Sequence, residues 1–249
     1  MISELFQKLF PGEPTIPQGC PWYEGQVKFG MPNINWCENT VCHIINEPAN
    51  ALTNFSYIFV GLALWYVQKK RNDVKLPYFV PAVLLVGFFS LIYHSTNNAL
   101  TQFLDFIGMY LYTSLLIVYN LLRAGYISKA QRCWAYLAAI MINNVIFFVF
   151  PMIGIPVQLI IALDVGVILS LEYMAYKKST SPINYKQLKI ALALMAVAQM
   201  FSQLDMKRIM CDPDNHFLQG HALWHILSGI SMWFAYHFYL QFSEKLKKE

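Results

Sequence analysis

An all-α membrane protein is the fold class this sequence predicts, and three observations predict it. Hydrophobic residues make up 57% of the 249 positions against 13% charged, with a mean hydropathy of +0.40, a balance foreign to soluble domains. Seven apolar stretches follow a polar start, each near the roughly 20 residues a helix needs to cross the hydrocarbon. Lys and Arg gather in alternate loops, the asymmetry that marks a cytoplasmic side. Together these give a seven-transmembrane helix bundle with a short extramembrane N-terminal segment.

Residues 1 to 50 are polar and broken by Pro11, Pro14, Pro17, Pro21 and Pro32, a composition that suits an extramembrane segment with short helical pieces. The seven stretches lie at about 51 to 68, 76 to 94, 102 to 122, 133 to 150, 155 to 176, 187 to 204 and 220 to 242. Residues 51 to 242 therefore form the membrane domain, and 243 to 249 a cytoplasmic tail. Basic residues fall at Lys69, Lys70, Arg71 and Lys75, at Arg123, Lys129 and Arg132, at Lys177, Lys178 and Lys186, and at Lys245, Lys247 and Lys248. The alternate loops 95 to 101 and 151 to 154 carry none, and the loop 205 to 219 mixes Lys207 and Arg208 with Asp205, Asp212 and Asp214. This places the N-terminus outside and the C-terminus in the cytoplasm.

No basic start, apolar run and small-residue cleavage site open the chain, so the first spanning segment is expected to do the targeting. A net charge of +4 without a long basic run gives no footing for a nucleic-acid partner. The five cysteines, Cys20, Cys37, Cys42, Cys133 and Cys211, include no C-x-x-C pair, which argues against a cysteine-ligated metal.

Ionisable groups at membrane depth are costly and point to function by default. His221 and His225 open the last stretch four residues apart, so on a helix both imidazoles leave one face, as two metal ligands from a single helix must. The orientation puts His94, at the end of the second stretch, at the same membrane face. Three histidines are the protein ligands of an open catalytic zinc site, although a lone membrane histidine can simply bond a neighbouring helix. Asp105 begins the third stretch at that face too. It is the candidate general base for a water acidified by the metal, or else a partner for a helix end. Ser90, one turn before His94, is the candidate donor to a developing oxyanion, or else bonds back to its own helix. His237 lies near the other face and receives no role. Asp164 and Glu172, inside the fifth stretch, are either polar glue or cavity lining. Trp36, Glu38, Asn39 and Glu47 group oxygen ligands ahead of the first span and are candidates for calcium, or else the acids are a solvated surface pair or a helix N-cap.

Trp36-Cys37-Glu38-Asn39, the run Glu47-Pro48-Ala49-Asn50-Ala51-Leu52-Thr53-Asn54, Ser90-x-x-x-His94, Asp105 and Gly220-His221-Ala222-Leu223-Trp224-His225 together resemble the alkaline ceramidases. That family belongs to a superfamily of seven-helix membrane hydrolases which includes the adiponectin receptors, and the match runs from about residue 35 to 230. The resemblance implies zinc on His94, His221 and His225, with Ser90 and Asp105 in the site. The activity it implies is hydrolysis of the ceramide amide to sphingosine and a fatty acid, on a membrane lipid substrate. It also implies a calcium site at the N-terminal segment. Here Asn35 stands where an aspartate usually precedes the tryptophan, and Trp36 to Glu47 is shorter by about two residues; one fewer carboxylate weakens calcium binding.

Cys20, Cys37, Cys42 and Cys211 all fall on the outside, where oxidation is permitted. The resemblance implies a Cys37–Cys211 disulfide, with Cys20 and Cys42 as competing partners and Cys133 reduced on the cytoplasmic side. The function expected is thus a zinc-dependent lipid amidase. The alternative is a seven-helix receptor or transporter with a structural metal or proton-relay histidines. A bis-histidine haem does not suit two ligands on one helix face, and the last stretch has no lysine at membrane depth for a retinal Schiff base.

Overall fold

The computed structural model describes residues 2–70 and 76–246; Arg71, Lys75, Lys247 and Lys248, named above as orientation signals, lie outside the described residues. Among the described residues the chain contains no strand. Short helices α1 (Ile2–Leu9), α2 (Tyr23–Phe29) and α3 (Pro48–Thr53) precede the long ones. These are α4 (Phe55–Lys70), α5 (Phe79–Thr96), α6 (Ala99–Arg123), α7 (Arg132–Met152), α8 (Leu159–Lys177), α9 (Lys186–Met206) and α10 (Gly220–Leu240); α11 (Ser243–Leu246) follows. Five of them, α5 to α9, are long and apolar enough to cross a membrane. α4 covers only 16 residues, and the 21 residues of α10 include three histidines and two serines that dilute its apolar character. The first apolar stretch is in fact two helices, broken at Asn54, whose side-chain amide donates to the Asn50 carbonyl at 2.8 Å.

α5 and α6 form the centre, each more than half buried, while α7, α8 and α9 turn most of their surface outward. That surface is apolar, with Trp134, Met141, Leu163, Tyr173 and Met200 all exposed, as expected where lipid is the solvent. Two residues reverse the chain between α5 and α6. Asn97 closes α5 in the left-handed region at φ 45°, and Asn98 caps α6 by accepting the Thr101 N–H at 3.1 Å, the role short polar side chains take at helix starts. Gly108 then lets the two backbones meet, since a Cβ there would lie 3.1 Å from Val86 Cα. This tight pairing brings the end of α5 beside the start of α6.

The N-terminal segment is packed rather than trailing. Phe6 of α1 and Phe10 just after it insert among Phe103, Phe147 and Phe148 of α6 and α7 with ring centroids 5.6–5.9 Å apart. Gln26 donates to the Asn97 carbonyl at 3.0 Å, tying α2 to the α5–α6 turn. At the opposite end of the bundle Arg123 pairs with Glu172 on α8, stacks over Phe242 at 3.6 Å, and shares Glu172 with the Tyr185 hydroxyl at 2.9 Å. Asp164 is met by Thr113 and by the Asn143 amide. Both acids thus have partners some 20 to 50 residues away in sequence, which local spacing does not reveal. His237 bonds back to the Trp233 carbonyl of its own helix at 2.8 Å.

Two disulfides staple the segment down: Cys20–Cys42, with Cα atoms 5.2 Å apart, and Cys37–Cys211, 5.5 Å apart. Cys133 is free and exposed. Closing a loop of 174 residues removes about 5 kcal/mol of unfolded-chain entropy in the simplest model. Peptide mapping without reduction should therefore recover these two linked pairs and one alkylatable thiol, at Cys133. Cys37→Ser with Cys211→Ser should lower the melting temperature in detergent by several degrees or more. Any Cys133 disulfide, or an unchanged melting temperature, would contradict this arrangement.

Candidate metal and catalytic site

His94, in the last turn of α5, and His221 and His225, in the first two turns of α10, converge although 127 residues separate the first two. Their ring centroids lie 4.4–5.0 Å apart, and one ring nitrogen from each falls within 4.8 Å of the others. All three are buried. Among the described residues they are the one group of three or more His, Cys, Asp or Glu side chains so placed.

The hydrogen bonds around them test whether a cation fits. Glu47 Oε2 lies 2.6 Å from His94 Nδ1, so the proton belongs on Nδ1 and the lone pair on Nε2. The Thr53 hydroxyl donates to the Ala49 carbonyl at 2.8 Å and is left to accept from His225 Nδ1 at 3.1 Å, which again frees Nε2. His94 Nε2 then faces His221 Nε2 at 3.2 Å. His94 and His225 thus offer lone pairs on Nε2, and His221 brings a third buried ring nitrogen to the same point, a donor set that fits a metal ion of the kind imidazole prefers, zinc included. His221 is held differently. Its Nδ1 is buried without a partner, and the Trp36 indole lies flat on the ring at 3.4 Å, 12° from parallel.

Two carboxylates set the helices that carry these groups. Asp205, at the end of α9, accepts the Cys37 N–H at 2.8 Å and the His221 N–H at 3.0 Å, capping α10 where its first amides lack helical partners. Gly220 permits that approach, because a Cβ would lie 2.7 Å from the Phe201 carbonyl and 2.8 Å from Asp205 Cβ. Glu38 accepts the Ala49 and Asn50 N–H groups at 2.8 and 2.9 Å, doing the same for α3, and meets His216 Nδ1 at 3.1 Å. Burial pushes the Glu38 carboxyl above the ordinary range, with the Asn50 and Ala49 amides pulling it back. Burial likewise pushes Glu47 up to about 8 against the pull of Asn50; a cation beyond the His94 imidazole favours the carboxylate.

The calcium candidates are placed as follows. Glu38 and Glu47 have the partners just given, the Asn39 amide donates to Asp214 at 3.0 Å, and Trp36 lies on His221. Ser90 and Asp105 face one another side chain to side chain and open, with His221 and His225, on a cavity of about 480 Å³. Its deeper wall, from Met109, Ile161 and Met195, is shared with a narrower cavity of about 150 Å³ that runs between α6, α8, α9 and α10 to Glu172 and Tyr239. Here α8 packs on α6 and α9 on α10, with little direct contact between α8 and α9. A polar head end therefore opens into a long apolar space flanked by lipid.

The family model described as Ceramidase matches residues 31–249. The chain belongs to the ceramidase family. It is 24% identical over 221 residues to alkaline ceramidase 1 of Homo sapiens, covering 80% of this chain and 78% of that protein. With alkaline ceramidase 1 of Mus musculus it shares 25% over 219 residues, covering 80% and 75%. Membership makes it a hydrolase, and all five of Ser90, His94, Asp105, His221 and His225 lie within the matched span. Sequence reasoning missed Thr53 and Asp205 as supports and Tyr93 and Gln102 as cavity lining. Thr53 stood in the Glu47–Asn54 run, and Asp205 in the mixed-charge loop, but neither run shows which histidine or amide it meets.

Glu47→Gln removes the carboxylate that orients His94 and should weaken metal affinity about 10- to 100-fold with the fold retained. His221→Ala and His225→Ala should abolish stoichiometric binding. Metal titration of each purified variant checks this, and wild-type affinity in Glu47→Gln would remove Glu47 from its role on His94.

Proposed function

We propose that the protein is a zinc-dependent intramembrane lipid amidase that cleaves ceramide, or a closely similar N-acyl lipid, into a fatty acid and a sphingoid base. The observation that carries this is the convergence of three buried imidazoles, two of them oriented by hydrogen bonds, beside Ser90 and Asp105 at the head of an apolar cavity. His94, His221 and His225 would hold the ion, which supplies Lewis acidity to polarise the amide carbonyl and acidify a water.

The chain's own groups do the rest. Asp105 takes a proton from the attacking water as its oxygen bonds to the carbonyl carbon, and returns one to the amine nitrogen as the C–N bond breaks. Ser90 donates to the carbonyl oxygen as negative charge gathers there. The apolar cavity takes the hydrocarbon chains, and the gap between α8 and α9 gives them entry from the bilayer. In this reading α4 and α10 join α5 to α9 in a seven-helix bundle. Its site end and N-terminal segment lie outside, its C-terminus in the cytoplasm. A receptor with a structural metal has no need of an acid and a hydroxyl facing the same cavity.

Asp105→Asn should keep its metal and lose about 10²- to 10⁴-fold in turnover, while chelation should abolish activity and added zinc restore it. Product release from a ceramide and metal analysis on the same sample decide the matter; near wild-type turnover in Asp105→Asn would demote that carboxylate. The orientation has its own check. A membrane-impermeant maleimide should label Cys133 in inverted vesicles and not in intact cells, and the reverse pattern would invert the topology.

A further inference from the structure

Tyr93 lies one residue before His94, is 1% exposed, and lines the site cavity. Its hydroxyl is held in one sense only. Gln102 Oε1 accepts the Asn33 N–H at 3.0 Å, which fixes the amide so that Nε2 donates to the Tyr93 oxygen at 3.3 Å. A phenol already accepting has its own proton to give, and no acceptor among the described residues takes it. Trp36 adds a second donor. Its buried indole N–H lies beside the same hydroxyl, and the ring also lines the cavity. Buried donors are rarely left unpaired, so this wall calls for an occupant that brings an acceptor oxygen.

Position says which oxygen. The Tyr93 ring is 4.5 Å from the His94 ring, and the Trp36 ring is stacked on His221. The two donors therefore lie about one ring's width from the imidazoles at which the amide would react. We propose that the Tyr93 hydroxyl, with the Trp36 N–H beside it, binds a hydroxyl oxygen of the lipid head group on a carbon next to the one bearing the scissile amide. This rests on the lipid-amidase reading and makes Tyr93 the residue that reads the head group. A site built to bond a hydroxyl discriminates against the analogue that lacks it, because its own polar group is then stranded.

The test crosses enzyme with substrate. Purified wild type and Tyr93→Phe, matched for metal content, are assayed in detergent on an N-acyl sphingoid base and on analogues lacking one head-group hydroxyl or the other. Wild type should prefer the full head group over at least one analogue by roughly tenfold or more in kcat/KM. Tyr93→Phe should lose activity on the full substrate, leave that analogue unchanged, and so flatten the preference; a purely structural role would lower every substrate alike. An equal fall on all substrates, or an undiminished preference, overturns the proposal. Thermal shift with the free sphingoid base and its deoxy analogues provides a readout without turnover. Wild type should separate them and Tyr93→Phe should not. If metal-loaded wild type cleaves no acyl amide, the amidase reading fails, and equal stabilisation of wild type and Tyr93→Phe by the free base would overturn the head-group proposal by itself.

Discussion

The Asp205 carboxylate joins two pieces of chain that nothing local would bring together. One oxygen takes the Cys37 N–H, the other the His221 N–H, so the segment entering the bundle and the helix carrying two histidines are indexed to the end of α9. The neighbouring residues extend this grip. Trp36 lies flat on His221, Cys37 is bonded to Cys211, and Glu38 caps α3. Three consecutive residues thus reach α10, the loop before it and α3. Helix N-termini present unpaired amides and a partial positive charge, which is why buried carboxylates suit both joints.

Each joint serves one of the histidines. α3 provides Thr53 for His225 and its N-cap provides Glu47 for His94, so the short helix before the first long one orients imidazoles on two others. A metal site needs more than ligand atoms nearby, because each ring must be held in the tautomer that offers its lone pair. The buried acids Glu38 and Glu47, which are also calcium candidates, contribute to that end, one by fixing α3 and one by touching His94.

Much of this was legible because membranes simplify the code. Apolar runs and basic loops located the long helices to within a few residues, and the cost of an ionisable group at depth singled out His94, Asp105, His221 and His225. What stayed hidden was of another kind. Asn54 ends α3 without a proline or glycine to announce it. Arg123 and Glu172 find one another across 49 residues, and Thr53, Tyr93 and Gln102 look like ordinary helix residues until the packing shows what they face. The spacing could not choose between the cysteine pairings either, and the two competing outer cysteines, Cys20 and Cys42, are bonded to each other instead.

The distribution of polarity along the cavity shows how one end comes to hold chemistry and the rest hydrocarbon. Polar groups crowd the end covered by the N-terminal segment; below Met109 and Met195 the walls are almost wholly apolar until Glu172. That acid is already claimed by Arg123 and Tyr185. A buried pair of this sort adds little net stability compared with well-packed apolar residues, but leaving either charge alone would be severe, so the pair holds α6 and α8 in register. An amphiphile in this cavity would then settle in one sense, tails toward the Arg123–Glu172 end and head beside the histidines. Orientation of the substrate follows from where the protein can tolerate an oxygen.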